Sequence, residues 1–243
     1  MPTYTEQSWL QTPLGAYLLE QEQAMFDEAV SDLFGFNAIQ FGMTEVDLLR
    51  NCRVPYRAKA GVAGDVALRC HSTQLPFATS SIDLLLLPHV LDFSHRPHDT
   101  LRDAERALVP EGHLVISGFN PYSLWGLRRM FNRDNSYPWS GRYLSLPHLK
   151  DWLALLNFEV SAGRMGCYAP PMRKLSWQQR FRFMDKAGNR WWPMLGGVYF
   201  IVAKKRVTGA RLVRPSWNSR RMGQRLIPKP TQKNEFQKSN HGE

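Results

Sequence analysis

Three histidines, His89, His95 and His98, follow closely on an apolar run, Leu84-Leu85-Leu86-Leu87, that ends at Pro88. An imidazole changes charge near neutral pH, so His89, directly beyond the run, is a candidate catalytic acid or base. The spacings of six and three residues match no recognised ligand pattern, so no metal centre is expected. Arg96-Pro97 reads more simply as the start of a helix with proline in its first turn. Earlier in the chain, Gln40-Phe41-Gly42-Met43-Thr44 offers a glycine at which the backbone can turn and approach a ligand closely. Asp65 lies 23 residues after Gly42. An acid at about that distance takes the ribose hydroxyls in nucleotide-binding α/β folds, while Gly64-Asp65 reads equally well as a turn. Asn120, Tyr122, Ser123 and Trp125 lie in and just after the turn at 118–121 and are candidates for lining a substrate pocket.

Such residues need a frame to hold them. The four leucines show no alternation, which suits a strand buried on both faces of a parallel sheet. Leu101, Ala104, Ala107 and Leu108 recur at helical spacing, with Arg102, Asp103, Glu105 and Arg106 on the other side. Pro110-Glu111-Gly112 ends that helix, and residues 113–119 form the next strand. Strand, helix and strand with short links make a right-handed βαβ unit. Ligands of such sheets bind at the carboxyl ends of the strands, which is where His89 and Asn120 fall.

These residues also carry a family resemblance. The string from Leu75-Pro76-Phe77 through Ile82-Asp83, the leucines and His89, then Arg106-Ala107-Leu108-Val109-Pro110-Glu111-Gly112 and the strand to Phe119, resembles class I S-adenosylmethionine-dependent methyltransferases of the type 11 group. The resemblance covers residues 35–204 and is most specific at 75–119. It implies a Rossmann-like, mostly parallel seven-stranded sheet with helices on both faces and an antiparallel last strand. It also implies S-adenosylmethionine as cofactor and methyl transfer to a small-molecule acceptor. On this reading the cofactor lies against Gln40, Gly42, Met43, Thr44, Asp65, His71, Ser72, Leu75 and Pro88, with His89 near the methyl group. The family's glycine-rich loop, roughly acid-x-Gly-x-Gly-x-Gly, keeps one glycine here. Gln40 stands for the acid, and Thr44 and Val46 for the later glycines. A β-branched Val46 does not easily take a positive φ, so the loop is reshaped or closed. His71 stands where the family's adenine-facing acid is found. Two further functions stay open: a non-catalytic binding or regulatory protein on this fold, and a nucleic-acid-associated protein that uses its basic tail.

The remaining elements follow from periodicity. A helix over 16–33 packs on the sheet, and a first strand runs over 37–42. A short helix begins at 45–49 and stops before Pro55, and strands follow at 57–65 and within 66–75. Residues 124–131 form an amphipathic helix whose Leu124, Leu127 and Phe131 lie over the acceptor pocket or else simply cover the core. A helix over 146–156, a strand over 158–163 and a final strand over 197–203 complete the fold. Between 169 and 196, Trp177, Phe181, Phe183, Trp191 and Trp192 alternate with Arg173, Lys174, Arg180, Arg182, Lys186 and Arg190. That pattern suits an anionic headgroup, a phosphate-bearing metabolite or nucleic acid, or else an amphipathic helix with its aromatics packed on the sheet.

Charge divides the chain unevenly. Residues 204–243 hold eleven Lys and Arg against Glu235 and Glu243, whereas the other 203 residues carry 20 basic and 19 acidic side chains. A nucleic-acid face across the whole domain is therefore not expected, and contact with nucleic acid or an anionic surface falls to 204–243. The expected organisation is a helical extension (1–34), a methyltransferase-like domain (35–206) with a basic-aromatic insertion (169–196), and a basic, disordered tail (207–243). Cys52, Cys70 and Cys167 are too few and too scattered for a disulfide framework or a zinc site. With no secretion signal and no long apolar run, a cytoplasmic location is expected.

Overall fold

The computed structural model describes residues 5–132, 136–172 and 180–206. Chain contacts divide the protein into Met1–Thr208 and Gly209–Glu243, and the tail expected at 207–243 lies outside the described residues. The helices are α1 (Glu6–Leu10), α2 (Pro13–Ser31), α3 (Val90–Phe93), α4 (Pro97–Ala107), α5 (Leu124–Phe131), α6 (Leu146–Leu155) and α7 (Phe183–Trp191). The strands are β1 (Asn37–Phe41), β2 (Tyr56–Gly61), β3 (Leu68–Arg69), β4 (Ile82–Pro88), β5 (Leu108–Phe119), β6 (Phe158–Gly166) and β7 (Val198–Lys205). They form one sheet of order β3-β2-β1-β4-β5-β7-β6, parallel except that β7 runs antiparallel to both of its neighbours. This is the class I methyltransferase fold.

The leucine run explains the centre of the sheet. Side chains alternate along a strand. Leu85 and Leu87 therefore join Ile39, Leu114 and Ile116 under α4 and α6, while Leu84 and Leu86 join Ala38, Val115 and Phe200 under α2. Phe26 of α2 meets Phe200 edge-on at 4.9 Å. The preceding residue of β4, Asp83, pins the start of β1: its Oδ2 accepts from the N–H groups of Phe36 and Asn37 at 3.0 and 2.9 Å. The end of α4 is held from a distance. Lys205 of β7 reaches in to donate to the carbonyls of Glu105 and Leu108 at 2.6 and 3.0 Å and pairs with the Glu105 carboxylate. Lysine suits that place because a helix leaves its last carbonyls without partners and its C-terminus attracts cations.

One expected element is replaced. Residues 45–49 form turns, not a helix, so β1 passes to β2 without one. The cause is Gln40, whose buried side chain takes up the loop's own backbone groups. Its Nε2 donates to the carbonyls of Gly42, Met43 and Val46 at 3.1, 3.0 and 2.9 Å, and its Oε1 accepts from Leu48 N–H at 3.0 Å. Groups that would start a helical ladder are thus already bonded, and Leu48 and Leu49 turn into the core beside Phe26 and Val30.

Candidate cofactor cleft

At the carboxyl ends of β1, β2 and β4 lies a cleft of about 370 Å³. Its floor is Phe41, Gly42, Met43 and Pro88; Gly61, Val62 and Ala63 form one wall, and Val90, Phe93 and Ser94 another. Ser72 and Thr44 present hydroxyls, and Glu6 of α1 and Tyr137 also line the cleft. The size falls at the lower end of small-molecule sites, about 300–1,000 Å³. Three residues on its lining are left-handed: Gly42 at φ 88°, Met43 at 43° and His89 at 52°. Glycine takes this conformation freely, while Met43 and His89 are held there by their surroundings. Met43 points down into a cluster with Trp9, Leu14, Phe119 and Trp125 and is almost wholly buried.

His89 is the most constrained group of the site. Its Nε2 lies 2.8 Å from Glu22 Oε1, and its Nδ1 lies 3.1 Å from Asp92 Oδ2. Both carboxylates are buried, and the ring stacks on Phe119 with centroids 4.0 Å apart. Burial alone would discharge the imidazole, but Glu22 and Asp92 outweigh it and push its pKa up to about 10. At neutral pH His89 is therefore an imidazolium donating from both nitrogens, not a free base. Asp92 Oδ2 also accepts from Phe119 N–H at 2.9 Å. Burial lifts the Asp92 carboxyl above its ordinary value, and the His89 ring and Phe119 N–H pull it back. Burial likewise raises the Glu6 carboxyl, against the pull of His89.

Gly42, Met43, Thr44, Ser72, Pro88 and His89 thus meet at one cleft. Other candidates sit elsewhere. Gln40 lies beneath the loop, bonded to it throughout. Asp65 is exposed in the turn after β2, and the exposed His71 bridges back to Gln74. Leu75 is packed in the core under α4, with its N–H donating to Asp103 and its carbonyl accepting from Arg106 at 2.8 Å. The acceptor candidates divide as well. Asn120 is buried, and its Nδ2 donates to the carbonyls of Met194 and Gly196. Trp125 is fully buried with its indole N–H on Ala169 O at 3.1 Å, and Tyr122 is exposed. Among the described residues no group of histidines, cysteines and acids is arranged to hold a metal ion. Lys204 and Arg206 pair with Glu111 and Glu159, so the described start of the basic stretch is engaged within the protein. Arg173, Lys174 and Trp177, like residues 207–243, lie outside the described residues.

Several participants were not read from the sequence: Glu6, Glu22, Asp92, Phe93 and Tyr137. Glu22 did leave a signal. It interrupts the apolar stripe of α2 between Leu18 and Phe26, at i+4 from each. An acid in that position must be buried, and a buried acid needs a partner.

Comparison with known proteins agrees with this geometry. A family model described as "Methyltransferase domain" matches residues 42–116. The uncharacterized protein YafS of Escherichia coli (strain K12) is 33% identical over 202 residues, which cover 82% of this chain and 80% of YafS. Among solved structures, a SAM-dependent methyltransferase of Thermotoga maritima, described as a possible histamine N-methyltransferase, superposes with a TM-score of 0.59 at 16% identity, covering 82% of this chain and 94% of that one. A SAM-dependent methyltransferase of Archaeoglobus fulgidus gives 0.54 at 15%, covering 76% and 93%. The chain belongs to the methyltransferase-domain family built on the class I methyltransferase fold.

Proposed function

We propose that the protein is an S-adenosylmethionine-dependent methyltransferase acting on a small-molecule acceptor, with the cofactor in the cleft between Gly42, Gly61, Ser72 and Pro88. The observation that carries this reading is the place of the cleft, which opens at the carboxyl ends of β1, β2 and β4 of a methyltransferase fold with the left-handed Gly42 on its lining. His89 lies on that lining, held between the buried side chains of Glu22 and Asp92, and Glu6 also lines it. When bound, S-adenosylmethionine would supply a methyl group on a permanently cationic sulfonium.

The chain's own residues have separable roles. Gly42, left-handed at φ 88°, turns the backbone across the cleft floor; a side chain there would be strained by that φ and would press on Val90 at 3.0 Å. Thr44 and Ser72 offer hydroxyls for polar groups of the ligand. Glu6 and Tyr137 line the same cleft and would keep water from a bound cofactor. His89 is a positioning residue: it ties α2 through Glu22 to α3 through Asp92 and so holds the lining of the cleft at Pro88, His89 and Val90 in place. Transfer of a methyl group is an in-line displacement, for which positioning and desolvation supply most of the acceleration without a strong base.

Two features set the site apart from the resembled pattern. The chain after β1 offers turns in place of a helix N-terminus, and no acid stands at the end of β2, where Gly61 and Val62 lie. Titration calorimetry of the full chain with S-adenosylmethionine and S-adenosylhomocysteine tests the reading. Single-site binding of both is expected. Folded protein that binds neither would leave a binding or regulatory protein on a methyltransferase scaffold.

A further inference from the structure

Among the described residues that line the cleft, only Glu6 carries a carboxylate. No acid stands at the end of β2, and the Gln40 side chain is spent on its own loop. The acid that the strand ends lack comes from α1, ahead of the whole sheet. That helix is firmly placed. Thr5 Oγ1 accepts from Ser8 N–H at 3.4 Å and Ser8 Oγ from Thr5 N–H at 3.0 Å, a reciprocal cap. Thr12 ties its end to α2, donating to Trp9 O at 2.6 Å and accepting from Gly15 N–H at 3.1 Å. Glu6 and Trp9, at i and i+3, share one face of α1. Trp9 is buried and meets the Tyr137 ring edge-on at 5.3 Å, so its packing holds Glu6 on the same lining as Tyr137. Helix α5, expected over a pocket or on the core, gives the cleft no described residue. Its Leu124, Leu127 and Phe131 are exposed, and Arg128 and Arg129 lie over Trp139 and Tyr143. Phe183, Trp191 and Trp192, at α7, are likewise exposed and not packed on the sheet.

Two polar groups on this lining lack partners. The Tyr137 side chain is 8% exposed, and its hydroxyl has no hydrogen-bond partner among the described residues. A buried hydroxyl left so is uncommon and points to a group that arrives from outside. The Glu6 carboxylate likewise makes no hydrogen bond or ion pair among the described residues. Burial raises its pKa, His89 lowers it, and Glu22 and Glu45 raise it further. His89 gives it no bond, because both ring nitrogens are engaged by Glu22 and Asp92. A carboxylate and a phenol oxygen on one lining are two acceptors awaiting donors, and the carboxylate gains most from donors that bring positive charge. An ammonium group has three donors and no acceptor, so it satisfies both at once. Neutral hydroxyls and amides of a ligand are served by Thr44 and Ser72. We propose that Glu6 and Tyr137 form a subsite for the ammonium group of an amino-acid-bearing nucleoside, that of S-adenosylmethionine, which rests on the cleft being the cofactor site.

Titration calorimetry of the full chain with three ligands tests the proposal. S-adenosylmethionine has both the ammonium and the sulfonium, S-adenosylhomocysteine the ammonium alone, and methylthioadenosine neither. Glu6→Gln keeps the shape and removes the charge. It is expected to weaken S-adenosylmethionine and S-adenosylhomocysteine about tenfold or more and to leave methylthioadenosine unchanged. Tyr137→Phe is expected to weaken the same two ligands about threefold. Neither variant breaks a hydrogen bond within the protein, so both are expected to keep at least the wild-type melting temperature. Equal weakening of all three ligands by Glu6→Gln would assign it to the ribose or adenine, and weakening of S-adenosylmethionine alone to the sulfonium; either result overturns the subsite. Unchanged affinity in either variant, with the wild type binding, overturns it too and leaves the proposed function standing. A folded wild type that binds none of the three overturns both.

Discussion

His89 illustrates how far a residue's neighbours decide its chemistry. In isolation it would be a base, but between Glu22 and Asp92 it is a fixed cation. Removing it leaves two buried carboxylates facing each other, and His89→Ala is expected to destabilise the protein by about 3–5 kcal/mol in urea unfolding. The pH dependence has a definite sign. Folding raises the ring's pKa from 6.5 to about 10. Its contribution is therefore complete below the unfolded value and disappears as pH climbs through about 10. A melting-temperature profile of the wild type should fall across that alkaline range, and the fall should be smaller in His89→Gln. Gln40 makes a related point. Its amide donates to three carbonyls and accepts from Leu48 N–H, so restoring the acid of the family motif is harmful here. Gln40→Glu removes the donor and points a carboxylate at those carbonyls, and is expected to cost about 2–4 kcal/mol by the same measurement. An unchanged unfolding midpoint would refute this account of the loop.

Among the elements, the sequence was most legible where burial alone decides. The leucine run, with no alternation and bounded by Ser80-Ser81 and Pro88, suits a strand covered on both faces, and β4 is that strand. The helix of α4 was equally plain from Leu101, Ala104 and Ala107. Two elements were not legible, for different reasons. The segment after β1 has local sequence compatible with a helix, and one side chain from the preceding strand overrides it. Periodicity cannot register a bond between Gln40 and Val46 O. In α5 the stripe was visible, but a stripe does not say which way it faces. That depended on Trp139 and Tyr143, which receive the arginines. Two substitutions probe these elements. In α5, a Cβ on Gly126 would meet Pro121 O at 2.0 Å, so Gly126→Ala is expected to lower stability by about 1–3 kcal/mol even though alanine favours helices. At the end of α4, Lys205→Met leaves the carbonyls of Glu105 and Leu108 without their donor and should cost about 1–3 kcal/mol. Thermal or urea unfolding reads both.

Over the whole molecule, chemistry is gathered at one end. The carboxyl ends of the parallel strands carry the cleft, the Glu22–His89–Asp92 cluster and the start of α5, while α4 and α6 cover the core on one face of the sheet and α2 on the other. The candidate site was legible to the extent that strand ends are where such sheets bind ligands, and Gly42, Ser72, Pro88 and His89 were found there. It was not legible where distant segments converge: Glu6 and Tyr137 reach the cleft from the first helix and from a loop beyond β5, and neither carries a motif. The central claim is that this cleft holds the methyl donor despite its reshaped first loop. A crystal structure of the full chain grown with S-adenosylhomocysteine tests it most directly. The account predicts the ligand between Gly42, Gly61, Ser72 and Pro88, with the His89–Glu22 contact intact. A ligand bound elsewhere, or a cleft without it in crystals grown at saturating concentration, would contradict it.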